Sequence, residues 1–348
     1  MQSEFTRNNF DLLRILAAMQ VVASHSAFLL KIDTPSWWWL IDIFPGVPIF
    51  FAISGYLISA SYERSKSLQS YARNRVLRIF PGLWVCVLVT IPVAMYFGFD
   101  FFHMAGLQWL VAQSVGLIYT PGFLDNFGFG SYNGSLWTIP IELQFYCLLP
   151  LVYFACSRSA RFTQLLIGLW VIFLVLALIF RPMLGTLDGE PLHLKLLRYS
   201  FIPHFYIFLF GVLMQRFRIC DSQLIKGKAI AWLSLYVGLM YFVPASDFKS
   251  VLSPLLLAVV LVSVAYTAVD LSHTLLRGND LSYGVYIYHG LLLAIFVELG
   301  LQQSPVYGFM VAAISCGLAV LSWRFVEKPF LRRKKQSIHV VPNAAPQG

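Results

Sequence analysis

Charge is scarce in this chain: only 12% of its 348 residues are Asp, Glu, Lys or Arg, about half the share in a soluble globular domain. Cysteine is scarce too. The five present (Cys86, Cys147, Cys156, Cys220, Cys316) show no CxxC or metal-type spacing, which argues against a disulfide framework and a zinc site, and no metal site is expected. No polar low-complexity stretch, internal repeat or stretch of soluble composition interrupts the sequence, so no soluble domain of appreciable size and no nucleic-acid partner is expected. What fills the chain is apolar: 58% hydrophobic, 16% aromatic, mean hydropathy +0.72. A fold of this size has no interior large enough to hide that excess, so its surface faces something other than water. Secreted enzymes, cytosolic enzymes and disordered chains are thereby excluded. The sequence reads as an all-α, polytopic integral membrane protein whose first partner is the lipid bilayer.

A transmembrane helix needs about 20 mostly apolar residues. Spans are predicted near 10–30, 42–60, 80–99, 137–156, 163–180, 199–214, 229–243, 251–269, 281–299 and 306–324, about ten in all. The first contains Asp11 and Arg14 with no small-residue cleavage site after it, so it reads as a retained helix and not a signal peptide. With the amino terminus inside, 19 of the 25 Lys and Arg fall in cytoplasmic segments, five in outer segments, and Arg14 within the first span. This asymmetry predicts both termini in the cytoplasm. Residues 107–119 are apolar but short, and reading them as a span would put the Arg158/Arg161 loop outside. They are expected to be a re-entrant or interfacial piece, followed by a Gly- and aromatic-rich outer loop (120–136) folded over a site. The Trp37–Trp39 run reads as an interfacial anchor.

Ionisable groups at membrane depth are expensive and mark function by default. Arg14 and His25 are eleven residues apart, which puts them within about 20° in helical phase and about 16.5 Å apart along the axis. They predict a polar track into the bundle, with Asp11 on the same side holding the Arg14 guanidinium. Glu142 lies about five residues into its span from the outer side, and His25 about five from the outer end of its own. Equal depth predicts a His25–Glu142 couple. His289 follows Ser282 and Tyr286 on one helical face, bonded for packing, catalytic, or lining the path of a reactive chain. Arg73, Arg75 and Arg78 precede the third span. Arginine suits bidentate phosphate recognition, while anchoring to anionic headgroups is the simpler reading of composition alone.

These motifs together resemble the acyltransferase 3 family, membrane enzymes that O-acylate bacterial surface sugars. The resemblance is carried by Phe10-Asp-Leu-Leu-Arg14 followed by His25, by Pro48-Ile-Phe-Phe-Ala-Ile-Ser54-Gly55-Tyr-Leu-Ile, and by Arg73 to Pro81. Ser135-Leu-Trp137-Thr-Ile-Pro-Ile-Glu142-Leu-Gln-Phe-Tyr146, Ser282-Tyr-Gly-Val-Tyr-Ile-Tyr-His289 and Phe325-Val-Glu327-Lys-Pro329 complete it. The blocks run in family order from residue 10 to residue 330. Two departures stand out. Pro48 occupies the place before the Phe pair where many members have an acid. The chain also stops about 20 residues after the last motif, too soon for the fused hydrolase-like domain of some members.

The resemblance implies a membrane acyltransferase domain over 1–335 with a short cytoplasmic tail at 336–348, in the bacterial inner membrane. It implies no permanently bound cofactor, an acyl-CoA co-substrate (expected to be acetyl-CoA), and a hydroxyl of a lipid-linked or other envelope glycan, such as lipopolysaccharide, as acceptor. On this reading Arg73, Arg75, Arg78 and Arg14 grip the donor phosphates. His25 is the base or acyl carrier, Glu142 orients it, Ser135 and Trp137 shape the acceptor side, and Tyr286 and His289 polarise the thioester. The competing expectations are a transporter or flippase of glycan or acyl donor, and an acyltransferase with a cytoplasmic small-molecule acceptor.

Overall fold

In a lipid-filled environment every backbone N–H and C=O has to be satisfied within its own segment, which leaves helices as the economical answer for apolar runs of this length. The computed structural model, which describes residues 7–157, 161–184 and 191–336, is built in that way. No named strand occurs among the described residues. The helices that matter here are α1 (Phe10–Leu29), α2 (Gly46–Glu63), α3 (Leu68–Tyr96), α4 (Met104–Ser114), α5 (Thr138–Ser157) and α6 (Phe162–Phe180). They are followed by α7 (Phe205–Arg216), α8 (Ala229–Phe242), α9 (Asp247–Ala265), α10 (Ser282–Glu298), α11 (Pro305–Ser322) and α12 (Lys328–Gln336).

Seven stretches are long and apolar enough to cross a membrane, and α7, α8 and α10 are shorter apolar helices at three further predicted positions. The protein is thus a multi-pass, all-α membrane protein. Large apolar side chains stand on its outer surface: Phe28, Ile230 and Phe309 are 81%, 82% and 76% exposed, which suits contact with acyl chains and not with water. The last predicted boundary at 336–348 falls almost wholly outside the described residues, as does Arg158.

The centre is a close α2–α7 pair. A Cβ at Gly55 would run into the Phe208 carbonyl, and one at Gly211 into that of Ala52, so two glycines let the backbones touch. Around this pair stand α5, α6 and α9, sharing a core that includes Phe145, Phe205 and Phe208. A second apolar cluster ties α1 to α10 and α11 through Val22, Leu293 and Val311. The α3 helix begins at Ser67, whose hydroxyl accepts the Ser70 N–H, and runs 29 residues, about 43 Å at the helical rise. That exceeds the roughly 30 Å hydrocarbon thickness, so its first turns, carrying Arg73, Arg75 and Arg78, lie at one end of the bundle, the basic end.

The segment read as interfacial is α4, 11 residues and about 16 Å long, too short to cross. It folds over the opposite end, with Trp109 and Gln113 buried. The loop after it is pinned inward, Tyr132 donating to Gln113 at 2.7 Å and the Gly128 N–H to Glu298 at 2.6 Å. The chain then enters the bundle before α5 begins: Asn133 and Ser135 are already buried, ahead of the 3-10 turn's junction with α5.

Candidate active site

At the basic end Arg14 of α1, Arg78 of α3 and the loop before α10 converge on one carboxylate that the sequence reading did not single out. Asp280 Oδ2 accepts from Arg14 Nη1 at 2.9 Å and from Arg78 Nη2 at 2.6 Å. Its other oxygen accepts the Ser282 hydroxyl at 2.6 Å and the Ser282 N–H at 3.2 Å, at the start of α10. Arg78 Nη1 also lies 3.4 Å from Glu327, whose carboxylate accepts the Ser322 hydroxyl at 3.0 Å. A five-residue π-helical turn, Trp323–Glu327, brings that side chain inward. Burial alone would raise the Asp280 carboxyl, but the Arg14 and Arg78 guanidiniums outweigh it and hold it down at about 2. The expected Asp11–Arg14 pair is therefore corrected: the guanidinium hydrogen-bonds to Asp280, 266 positions away. The arginine trio also divides. Arg78 belongs to this ion cluster. Arg75 sits with its Cζ 5.6 Å from the Tyr146 ring centroid, its buried Nε making no hydrogen bond among the described residues. Arg73, about 160° from Arg75 in helical phase, is exposed.

Inward from Arg14 a small cavity of about 40 Å³ opens between α1, α2, α5 and α10, with Ser54, Glu142, Phe50 and Tyr286 among its walls. Glu142 Oε1 accepts the Ser54 hydroxyl at 3.3 Å and the Tyr146 hydroxyl one turn along α5. Tyr146 is the ring under Arg75. Glu142 thus faces the Arg14 side of the bundle, and the expected His25–Glu142 couple is corrected. The depth estimate failed because it counted from the start of the apolar run. The chain has already sunk into the bundle at Asn133 and Ser135, and α2 starts deep, its Gly46 N–H donating to Gln20 Oε1 at 2.7 Å. Ser54 lies eight residues, about 12 Å, from Gly46 toward the basic end. His25 lies five residues beyond Gln20 the other way.

The partner of His25 is His289. His25 Nδ1 and His289 Nε2 are 3.1 Å apart, and His289 Nδ1 is 2.7 Å from the Tyr286 carbonyl. A carbonyl only accepts, so in the neutral ring His289 carries its proton on Nδ1 and presents the Nε2 lone pair. His25 then donates from Nδ1, which leaves its own Nε2 unprotonated. The His–His contact fixes one tautomer. His289 is fully buried with both ring nitrogens engaged, one by His25 and one by the Tyr286 carbonyl.

Ser135 is corrected likewise. Its hydroxyl is 2.6 Å from Asn133 Oδ1 and 3.1 Å from the Tyr286 carbonyl, and Asn133 Nδ2 donates to the Ile287 carbonyl at 2.7 Å. A Cβ at Gly290 would run into this pair. Asn133 and Ser135 therefore seat α10 at the turn that carries His289, and neither lines the cavity. Trp137 is half-buried against Tyr199 and His204, with ring centroids 5.7 and 5.8 Å away. Tyr286 is in the cavity wall, its hydroxyl 2.9 Å from Thr138 Oγ1.

Asp280, Tyr146 and Asn133 escaped the sequence reading. Only Tyr146, four residues after Glu142 on one helical face, carried a legible signal.

The arginine-flanked mouth, the cavity and the histidine pair thus lie in succession between α1, α2, α5 and α10, in a chain that is similar to known proteins over nearly its whole length. A family model described as "Acyltransferase domain" matches residues 7–324. The chain is 31% identical to Nodulation protein 10 of Rhizobium leguminosarum bv. viciae, with 94% of each chain covered. It is 27% identical to an O-acetyl transferase of Shigella phage Sf6, covering 95% of this chain and 98% of that one. It is 24% identical to the peptidoglycan O-acetyltransferase OatA of Listeria monocytogenes, covering 92% of this chain but 55% of that protein. No solved structure matches. With 7–324 matched and a relative similar from end to end, the chain belongs to the acyltransferase 3 family and is a membrane acyltransferase.

Proposed function

We propose that this acyltransferase moves an acetyl group from acetyl-CoA, entering at a cytoplasmic basic end, to a hydroxyl of a cell-envelope glycan, such as lipopolysaccharide, presented from the outer side of the bacterial inner membrane. Both termini are then cytoplasmic, as the Lys and Arg distribution favours. The reading rests chiefly on the His25–His289–Tyr286 carbonyl relay, which leaves an unprotonated Nε2 on His25. The O-acetyl transferase names of its relatives support the acetyl group and the oxygen acceptor.

On this reading Arg75, with its unpartnered buried Nε, and the exposed Arg73 meet the coenzyme phosphates. Arg14 and Arg78, held to Asp280, keep the mouth positive. The thioester arm occupies the cavity past Ser54 and Glu142. His25 Nε2 takes the proton of the glycan hydroxyl as its oxygen attacks the thioester carbonyl carbon. The C–S bond then breaks, and the departing thiolate takes that proton back from His25, the base acting as acid in the second half. His289 stabilises the transient imidazolium by accepting from Nδ1–H, the part played by the third member of a triad.

Proteoliposomes holding the purified protein, labelled acetyl-CoA and extracted envelope glycolipid test this directly. Label covalently retained on sugar by the wild type, and lost with His25→Ala at normal insertion, is the expected result. Retention of near-normal transfer by His25→Ala would remove His25 from the chemistry. Label that crosses the membrane with no bond formed would establish transport instead.

A further inference from the structure

The donor cavity does not run straight to the histidine pair. Phe50 of α2 and Tyr286 of α10 meet edge to face in its wall, with ring centroids 5.4 Å apart. The Tyr286 ring in turn lies edge-on to His289, at 5.8 Å. Val47 precedes Phe50 by three residues, on the same face of α2, and also lines the cavity. Neither ring is free to swing aside. The Tyr286 hydroxyl is tied to Thr138 at 2.9 Å, and Phe50 packs against both apolar clusters of the bundle.

Resting on the donor reading above, we propose that Val47, Phe50 and Tyr286 form the niche that receives the acyl tail of the donor and sets its length, admitting two carbons and excluding four. A thioester has its sulfur toward the coenzyme and its tail beyond the carbonyl. An arm entering past Arg14 therefore delivers the tail against this aromatic wall. Two further methylenes have to displace a ring that is packed on two sides. One methylene too many in an apolar pocket changes specificity by about 10–200-fold, and cores resist added volume because their neighbours are already in contact. Sulfur, carbonyl and acceptor are handled elsewhere, so the niche selects without taking part in bond making.

Inside-out membrane vesicles from cells expressing the full chain, supplied with radiolabelled acetyl-CoA or butyryl-CoA, report the ratio of the two labels fixed covalently in the envelope glycan. The wild type is expected to fix butyryl at less than about a tenth of the acetyl rate, and Phe50→Ala to raise that ratio about tenfold or more. Phe50→Leu, nearly conservative in volume and a safeguard if the alanine variant folds poorly, is expected to fall between. An unchanged ratio in both variants, with acetyl transfer retained, would overturn the niche and leave the donor reading standing. Loss of acetyl transfer in both at wild-type protein levels would also overturn it, since the wall would then be needed for catalysis and not for selection. No label from either coenzyme A ester with the wild type would overturn the donor reading, and the niche with it.

Discussion

His25 has one nitrogen left for chemistry, because Nδ1 is engaged with His289. Replacing His25 by alanine is expected to cut transfer by about 10²–10⁴-fold, the usual worth of a general base. His289→Ala keeps the base but frees its ring, and a loss of about a hundredfold is expected for misplacement alone, with His289→Gln recovering part of it through its amide. Rates measured at saturating donor separate these losses from weaker binding. Asp280 makes a different prediction. Its carboxyl is held at about 2 against an ordinary 3.8, so the charged form favours the folded state. That contribution is complete above the ordinary value and disappears as pH falls through about 2. A fall in activity between pH 7 and 5 is therefore not expected from Asp280, and any part of it that comes from His25 should vanish from the profile of a variant with no imidazole at that position. Asp280→Asn leaves two guanidiniums facing each other and is expected to lower stability by about 3–5 kcal/mol, measurable as a drop in the thermal unfolding temperature in detergent.

At the scale of elements, α10 is the piece on which the site is built. Its first turn is tied to Asp280 and its third turn carries His289. Asn133 and Ser135, from the segment that dips in ahead of α5, hold the carbonyls between. Gly290 is what lets that segment approach. Gly290→Ala is expected to cost about 1–3 kcal/mol through overpacking, and to reduce transfer further by tilting His289 away from His25. Gly55→Ala should cost a similar amount by parting α2 from α7, while sparing the His25–His289 contact. Comparing thermal stability with residual transfer in the two variants separates packing from site geometry. Equal residual transfer at equal destabilisation would show that the Asn133–Ser135 seat has no special bearing on the histidine pair.

For the whole molecule, the two ends of the bundle differ in kind. One gathers Arg14, Arg75, Arg78, Asp280 and Glu327; the other is closed by α4 and an aromatic loop pinned to Glu298. If the basic end is cytoplasmic, a cysteine placed at Ser65 should react with a membrane-impermeant maleimide only after cells are permeabilised, and one at Asp125 should react in intact cells. The reverse pattern would invert the proposed path of donor and acceptor. The surface between the ends stays apolar, as with Phe28 and Phe309, so the bilayer, not a soluble partner, accounts for its composition.

The all-α membrane class, helix positions and the charged and aromatic ends were legible in the amino-acid order, though seven of the ten expected spans, not all, are long and apolar enough to cross. Each depends on local composition: a run of apolar residues has to become a helix in lipid wherever it lies in the chain. The candidate groups were legible too, because an ionisable residue in such a run is conspicuous by its cost. Their pairings were not. Arg14 finds Asp280 across 266 positions, His25 finds His289 across 264, and Glu142 finds Ser54 across 88. Depth counted from span ends misplaced Glu142 because the chain enters the bundle before its helix starts, and α2 begins well inside. Which nitrogen of His25 is left without a proton is a property of three-dimensional packing, fixed by one backbone carbonyl at Tyr286 and the histidine bonded to it.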